Sequence, residues 1–198
     1  MRNYSPASER NTPAIAPILI PLLNAHPRVL EIGSGSGQHA LAMSLQLPTV
    51  NWQTTEQPGG VSALADNLEE YAPKRFAVPK TLIIQSDQWY ENFETVDLVY
   101  SANTLHIMSW PAAQSLIYGS GKLVAQGGVL AIYGPFNYEG AYTSPSNAEF
   151  DQWLKDRDAH SGIRNFEDIC TCAAHAGLVL ENDHSMPANN RFLIFRKV

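Results

Sequence analysis

The stretch from Val29 to Ala40, Val-Leu-Glu-Ile-Gly-Ser-Gly-Ser-Gly-Gln-His-Ala, constrains the fold more than any other part of the chain. Apolar residues around one acid predict a strand buried on both faces, and the three glycines then turn the chain into a helical pattern. A backbone that a ligand lies against has no room for Cβ atoms, so we interpret this turn as a small-molecule binding site. Free N–H groups at the start of the next helix favour a carboxylate or a phosphate.

Glu31 is the unusual member of this stretch, because a carboxylate in a buried strand needs a partner. A cationic group on the ligand is one candidate partner. A set of local backbone N–H groups is the other.

Strand and helix patterns alternate along the chain. We predict strands at 29–32, 50–55, 81–85, 96–101 and 129–133, and then two strands joined by a turn at 178–182 and 192–197. We predict helices at 38–47, 62–71, 111–124, 146–157 and 166–176, and a first helix that begins near Thr12 or Pro17. This order predicts an α/β fold with a mostly parallel seven-stranded sheet, an antiparallel last strand and helices on both faces.

The length of 198 residues suits one domain, and we treat residues 1–198 as a single unit. Residues 1–12 are polar and dense in hydrogen-bonding groups. We interpret them as an arm that folds over a site, with a disordered terminus as the alternative.

Charge and cysteine content restrict the partners and the compartment. Nineteen acidic residues against 13 basic ones give a net charge of −6, so the basic face that nucleic acid requires is not expected. Pro17 and Pro21 interrupt the early apolar run, which therefore fits neither a signal peptide nor a membrane span. Cys170 and Cys172 point about 200° apart on a helix, so we expect unpaired thiols in a reducing, cytoplasmic environment.

Polar residues follow the ends of the predicted strands, where ligands of open parallel sheets bind. These residues are Glu56, Asp87, Asn103, His106 and Tyr133. Glu56 suits a ribose diol, because a carboxylate can accept from both hydroxyls. The alternative for Glu56 is an exposed loop acid.

The glycine spacing discriminates between two nucleotide cofactors that use this plan. A dinucleotide turn reads G-x-G-x-x-G and holds a pyrophosphate, whereas this chain has Gly33-x-Gly35-x-Gly37 with an acid two residues before the first glycine. Glu31 would repel a pyrophosphate and attract the ammonium group of a methionine moiety, directly or through water. The pattern therefore favours S-adenosylmethionine (SAM) over a nicotinamide dinucleotide.

The sequence resembles the class I SAM-dependent methyltransferases. Glu31-x-Gly33-x-Gly35-x-Gly37 is similar to their first motif. Further segments resemble a family of small methyltransferase-like proteins labelled as a domain of unknown function, the methyltransferase-like twenty-six type. These segments are Ser5-Pro-Ala-x-x-Arg-Asn11, Gly35-x-Gly-Gln-His39, Asn103-x-Leu-His-Ile107 with Trp110, Tyr133-Gly-Pro-Phe136, Ser146-Asn-Ala-x-Phe-Asp151, Gly162-Ile-Arg164 and Met186-Pro-Ala-Asn-Asn190.

The resemblance implies a Rossmann-like fold and a site for SAM, with S-adenosylhomocysteine as the product. It implies that Glu56 binds the ribose and that Asp87 meets the adenine amino group, although Gln85 is the alternative because the acid comes late after the strand. The predicted cofactor site is completed by Glu31, Gly33, Ser34, Gly35, Gly37, Gln38, Gln88 and Asn103. The family supplies no substrate.

Methyl transfer needs a positioned acceptor and, for a protonated nucleophile, a base. His106 is the candidate base, and the alternative is a buried histidine that bonds a loop carbonyl. Tyr133 would orient the acceptor or line the pocket, or would simply pack in the core.

Loop residues supply candidates for binding the acceptor. Arg164 suits a carboxylate or phosphate, because its planar fork can bind two oxygens. The other candidates are Arg10, Asn11, Asn189 and Asn190, and for each of the five a surface ion pair or loop bond is the alternative. No metal-ligand spacing is evident.

The leading hypothesis is a SAM-dependent methyltransferase that acts on a small molecule, without nucleic acid or membrane as a partner. The first alternative is an NAD(P)-dependent reductase. The second is a catalytically silent SAM-binding or scaffold protein. The sequence leaves the methyl acceptor and the oligomeric state open.

Overall fold

The computed structural model describes residues 1–23, 27–72, 76–86 and 88–198. The helices in these residues are α1 Pro6–Leu19, α2 Gln38–Gln46, α3 Val61–Tyr71, α4 Trp110–Leu123, α5 Pro145–Arg157 and α6 Phe166–His175. The strands are β1 Arg28–Ile32, β2 Asn51–Glu56, β3 Lys80–Thr81, β4 Val96–Ala102, β5 Val124–Gly134, β6 Phe136–Asn137, β7 Arg164–Asn165, β8 Leu178–Met186 and β9 Asn190–Lys197.

Seven of the described strands form one sheet in the order β3-β2-β1-β4-β5-β9-β8. Strands β1 to β5 run parallel to one another, and β9 lies antiparallel between β5 and β8. The predicted mostly parallel sheet with a reversed last strand is therefore confirmed. From β1 the chain adds β2 and β3 on one side of the sheet, and from β4 it adds β5 on the other. The carboxyl ends of the adjacent strands β1 and β4 therefore border a crevice.

Helices cover both faces of the sheet, as predicted. Side chains alternate along β1, so Leu30 and Ile32 belong to the core that α4 and α6 cover, whereas Val29 belongs to the core under α1 and α2. Trp52 of β2 also lies in the second core. This alternation directs Glu31 toward the α1–α2 face.

Helix α1 begins at Pro6, well before the predicted start near Thr12 or Pro17. The hydroxyl of Ser5 caps the helix by accepting from the N–H of Ser8 at 3.1 Å, and Pro6 occupies the first turn. Pro13 and Pro17 lie inside the helix. The cap and the burial of the apolar face of α1 outweigh the backbone bonds that these prolines cannot make.

Other differences concern the sheet edges. The predicted strand 81–85 is only two residues long, because the chain turns where the N–H of Ser86 donates to the carbonyl of Ile83 at 3.1 Å. The last hairpin is longer than predicted, and its turn is confined to Pro187–Asn189. The short parallel pair of β6 and β7 was not predicted.

Two smaller expectations concern thiols and membranes. Cys170 and Cys172 are unpaired, as their spacing indicates. Within the described residues, no helix combines the length and the apolar character that a membrane crossing requires.

Candidate functional site

A cavity of about 710 Å³ lies at the carboxyl ends of β1, β2 and β4. The glycine turn, the end of β2, the segment after β3, the loop after β4 and the N-terminal residues form its walls. Of the polar residues predicted at the strand ends, Glu56 and Asn103 line this cavity. The polar residues of the wall include Asn3, Ser5, Ser8, Ser34, Ser36, His39, Glu56, Gln85, Asn103, Thr104, Asp158 and His160.

The three glycines of the turn are required for different structural reasons. Gly35 has φ +58°, and a Cβ built there meets no other atom within 4 Å, so this position faces open space at the cavity. A Cβ at Gly33 would lie 2.9 Å from Cγ2 of Thr104. Gly37 has φ +83°, and its Cβ would lie 3.0 Å from Cδ1 of Leu64 in α3. Gly37 therefore serves helix packing, and it does not line the cavity.

Glu56 lies at the end of β2 and lines the cavity, as predicted. Its Oε2 accepts from the N–H of Gly35 at 2.7 Å, and its Oε1 accepts from the N–H of Gln57 at 2.8 Å. A Cβ at Gly60 would lie 2.6 Å from Cγ of Glu56, so glycine there makes room for the side chain. The carboxylate is thus held beside the glycine turn, where each oxygen keeps a lone pair for a ligand hydroxyl.

Glu31 does not line the cavity, so of the two predicted contacts with a ligand ammonium, direct or through water, the direct one finds no support. The side chain is 2% exposed, and its Oε2 accepts from the indole Nε1–H of Trp52 at 3.0 Å. Burial raises the pKa of Glu31 to about 7, although hydrogen bonds from Trp52 and Ser34 act in the opposite direction. The observed partners are side chains and not the local backbone N–H groups named as the alternative, because strand alternation points residue 31 behind the turn.

The residues predicted for the adenine, Asp87 or Gln85, and the cofactor-site residues Gln88 and Asn103 lie in different places. Gln85 lines the cavity, and its Nε2 donates to Oγ of Ser109 at 3.2 Å. Asp87 lies outside the described residues. Gln88 has φ +52° and borders a second cavity, which Gln85 also lines, and does not line the first. Asn103, with φ +55°, lines the main cavity while its N–H donates to the carbonyl of Tyr133 at 2.8 Å.

Gln38 holds the N-terminal segment and is not part of the cavity wall, contrary to its predicted place in the cofactor site. Its Oε1 accepts from the N–H of Ser5 at 2.7 Å, and its Nε2 donates to the carbonyl of Ser5 at 3.2 Å. Asn67 binds both backbone groups of Arg2 in the same manner. The predicted arm therefore borders the cavity through residues 3, 5 and 8, but residues 6–12 are helical.

Neither predicted catalytic residue lines the cavity. His106 is 6% exposed and packs edge-on against Phe150, with ring centroids 5.3 Å apart. Burial lowers the pKa of His106 to about 4, and the charge of Arg164 adds to this effect. Tyr133 is 1% exposed and packs edge-on against Phe192. Both side chains are buried against aromatic rings, which agrees with the packed alternatives and gives no support to their expected contact with the acceptor.

Arg164 supports a loop and does not face the cavity. Its guanidinium donates to the carbonyls of Leu105 at 3.1 Å, His160 at 2.9 Å and Met108. Met108 itself lines the cavity, so Arg164 shapes the wall from behind. The guanidinium of Arg164, which was expected to bind an acceptor carboxylate, therefore binds backbone carbonyl oxygens.

The other predicted acceptor residues also lie away from the cavity wall. Arg10 is exposed on α1, and Asn11 follows it half-buried. Asn189 donates to Oγ of Ser146 at 3.3 Å, and Asn190 donates to the carbonyl of Pro187 at 3.1 Å. Asn190 thus stabilises the turn between β8 and β9, and Asn189 joins that turn to α5.

Sequence reasoning missed several residues of the wall. His39 is 4% exposed in the first turn of α2, and its position two residues after the last glycine was the available signal. Asp158 and His160 come from the loop after α5, where Oδ1 of Asp158 accepts from the N–H of His160 at 2.9 Å. No sequence pattern near this loop indicates that it lies beside the glycine turn, so the sequence alone could not identify these two residues. In the described part of the chain, no cluster of three or more His, Cys, Asp or Glu side chains could hold a metal ion.

Comparison with known proteins gives one family and one fold. A family model described as a protein of unknown function (DUF938) matches residues 2–197. An O-methyltransferase family protein from Burkholderia thailandensis superimposes with a TM-score of 0.79 and 17% identity, covering 96% of this chain and 58% of that one. An O-methyltransferase family 2 protein from Planctomyces limnophilus, solved in complex with apigenin, has a TM-score of 0.79 and 19% identity, with coverages of 97% and 58%.

The structure of PigF with SAH is also similar, with a TM-score of 0.73, 16% identity and coverages of 87% of this chain and 50% of that one. At these identities the similarity shows the fold. The chain spans between 50% and 58% of the length of these three proteins.

Proposed function

The chain belongs to the family described as a protein of unknown function (DUF938), and we propose that it is a methyltransferase that transfers the methyl group of SAM to a small molecule. Within the class I enzymes, the motifs quoted above favour the twenty-six type. The acidic charge balance disfavours a nucleic-acid substrate. The unpaired thiols favour a cytoplasmic location.

The observation that carries this proposal is the pairing of Gly35 with Glu56 at the cavity. A position without a side chain and a carboxylate acceptor lie side by side, joined by a 2.7 Å hydrogen bond. A ribose that rests against this turn finds oxygens for its diol, and the glycine leaves room for the nucleoside. The spacing of the turn disfavours the pyrophosphate of a dinucleotide.

The other residues of the wall suit the remaining parts of SAM. Gln85 presents an amide beside Ile83 and Ile84, which suits the polar edge and the faces of an adenine ring. The cavity volume of about 710 Å³ lies within the range of roughly 300 to 1,000 Å³ that is usual for ligand sites, which suits a ligand of the size of SAM. When bound, SAM supplies an electrophilic methyl group on a sulfonium.

The acceptor side of the wall consists of Ile107, Met108, Asp158 and His160. Its mixture of apolar and polar groups suits a small organic acceptor. Because His106 and Tyr133 lie behind the wall, we propose His160 as the candidate for taking up the acceptor's proton. The apigenin in the Planctomyces limnophilus complex agrees with a small-molecule class of acceptor.

Isothermal titration calorimetry tests the cofactor. We expect heat on titration with S-adenosylhomocysteine and none with NAD, because the turn lacks a pyrophosphate site. A Gly35→Val variant should lose at least tenfold in affinity, since its side chain would project into the cavity. Gly140→Val is the matched control, because Gly140 also has positive φ, +74°, and open surroundings but lies in an exposed turn.

Heat with NAD and none with S-adenosylhomocysteine would overturn the proposal in favour of a reductase. A silent SAM-binding protein is separated from an enzyme by incubation with methyl-labelled SAM and a mixture of small hydroxyl and amine compounds. Binding without any transferred label would favour the silent protein.

A further inference from the structure

His39 is a buried imidazole that lines the cavity and has no role in the function proposed so far. It stands in the first turn of α2, two residues after Gly37. Glu31, the residue expected to meet a ligand ammonium, is turned away and bonded to Trp52. The wall near the glycine turn therefore needs another acceptor if the ligand carries an amino group.

The hydrogen bonds of Thr12 determine the tautomer of His39. The hydroxyl of Thr12 donates its single proton to the carbonyl of Ser8 at 2.7 Å. The same oxygen lies 3.2 Å from Nδ1 of His39, and it has only lone pairs left for this contact. Nδ1 must therefore carry the hydrogen, and Nε2 of the neutral ring is a bare acceptor.

That acceptor is buried and has no hydrogen-bond partner among the described residues. The hydroxyl of Tyr100, whose ring lies edge-on to His39 with centroids 5.8 Å apart, is likewise buried without a partner. A buried polar atom without a partner is costly, so such atoms in native proteins usually meet a ligand or an ordered water. Burial lowers the pKa of His39 to about 4, so the ring stays neutral near pH 7. The nitrogen is thus suited to receive a hydrogen bond from a donor and has no charge to repel a cation.

The surroundings of His39 suit the other half of an amino acid. Ser34 and Ser36 line the cavity, but their hydroxyl protons already go to Glu31 and Gln38, so the donors for a carboxylate are the free N–H groups at the N-terminus of α2. Ser5 and Ser8 close this end of the cavity from the N-terminal side. Donors for a carboxylate and one acceptor for an ammonium thus lie together.

We propose that Nε2 of His39 accepts a hydrogen bond from the ammonium group of the ligand's amino-acid moiety, so that His39 recognises the methionine end of the cofactor. This assignment rests on the proposed function. Glu31 then supports the turn from behind, without direct contact to the ligand. The residue acts in binding and takes no part in the transfer itself.

Two ligands that differ only in the amino-acid part test this assignment. S-adenosylhomocysteine carries the ammonium, and 5′-methylthioadenosine keeps the nucleoside and sulfur without it. His39→Asn keeps a donor near Nδ1 but removes the acceptor at Nε2, whereas His39→Gln places an amide oxygen near Nε2. Calorimetry measures both ligands on the wild type and both variants.

We expect His39→Asn to weaken S-adenosylhomocysteine by about 10- to 100-fold, the usual range for a charge-assisted hydrogen bond. Its affinity for 5′-methylthioadenosine should change by less than about threefold, which also shows that the variant is folded. His39→Gln should recover most of the loss. The matched control Gln46→Asn, exposed at the end of α2, should change neither affinity.

Equal losses for both ligands would overturn the assignment and indicate a structural role, such as a water held between Nε2 and the Tyr100 hydroxyl. Unchanged affinity for both ligands in His39→Asn would overturn it as well. Wild-type protein that binds 5′-methylthioadenosine but not S-adenosylhomocysteine would overturn the inference and leave a nucleoside site. Wild-type protein that binds neither would overturn the proposed function together with the inference.

Discussion

The carboxylate of Glu31 accepts a hydrogen bond from the indole of Trp52 at 3.0 Å, in the core between the sheet and helices α1 and α2. The two residues come from neighbouring parallel strands, where Val29 pairs with Trp52 and Glu31 with Thr54. A neutral N–H compensates a buried carboxylate only in part. This pair therefore makes the stability of the fold depend on pH.

Replacement of Glu31 by Gln should stabilise the protein at alkaline pH. Burial raises the pKa of Glu31 to about 7 from its ordinary value of 4.5, so the folded state binds more protons than the unfolded state between these pH values. The free energy of unfolding of the wild type therefore falls as the pH rises through this window, by on the order of 3 kcal/mol. Gln keeps an acceptor for Trp52 and has no charge to bury.

Denaturant unfolding at pH 5, 6, 7 and 8 measures this effect. The advantage of Glu31→Gln over the wild type should increase with pH between 5 and 8. Glu69→Gln, an exposed substitution on α3, is the control and should show no such trend. A Glu31→Gln difference that is the same at every pH would contradict the prediction.

Replacement of Gly37 by Ala should reduce stability while sparing the ligand. Its positive φ and the 3.0 Å approach of Leu64 to the new Cβ together should cost about 1 to 2 kcal/mol. Gly37 does not line the cavity, so affinity for S-adenosylhomocysteine should stay within about threefold of the wild type. Thermal unfolding and calorimetry on the same samples measure both quantities. Loss of affinity as large as in Gly35→Val would show that the packing of α2 and the ligand site are not separable.

Replacement of Gln38 by Ala should release the N-terminal segment. Both hydrogen bonds to the backbone of Ser5 are lost, and the capped start of α1 should fray. Limited trypsin digestion at Arg2 and Arg10 should become several times faster. Bound S-adenosylhomocysteine should slow this digestion more in the variant than in the wild type, because the wild-type segment is already held. Gln46→Ala, in the same helix, provides the comparison, and equal digestion of both variants would show that Gln38 does not hold the segment.

Replacement of Arg164 by Lys should destabilise the fold by about 1 to 3 kcal/mol, because an ammonium cannot reach all the carbonyls that the planar guanidinium binds. Arg157→Lys is the matched control, since Arg157 is exposed and its guanidinium stacks on Trp153. Chemical denaturation measures both. If Arg164→Lys is as stable as the wild type, the supporting role is contradicted, and binding of the acceptor, as expected from the sequence, becomes the better explanation for Arg164.

Local patterns were sufficient for most of the fold and for the position of the site. The alternation of apolar runs with helical periodicity predicted the parallel sheet, and the Gly33–Gly37 spacing together with Glu56 identified where the cavity lies. Neighbouring residues largely determine these features, since side-chain period and glycine content act within one element. The predicted start of α1 was wrong, because the cap at Ser5 outweighed the proline signals near Thr12 and Pro17. The predicted length of β3 was also wrong, because the chain turns at Ser86.

The tertiary structure alone decided which side chains form the wall. Periodicity says that Glu31 and Ile32 face opposite sides of the sheet, but it does not say which side the ligand occupies. Several contacts of the site join residues that lie far apart along the chain. Trp52 donates to Glu31, Thr12 contacts His39, and His160 lines the same cavity as the glycine turn. Such contacts arise only when helices and loops pack on the finished sheet, so the sequence determined the place of the site and the packing determined its chemistry.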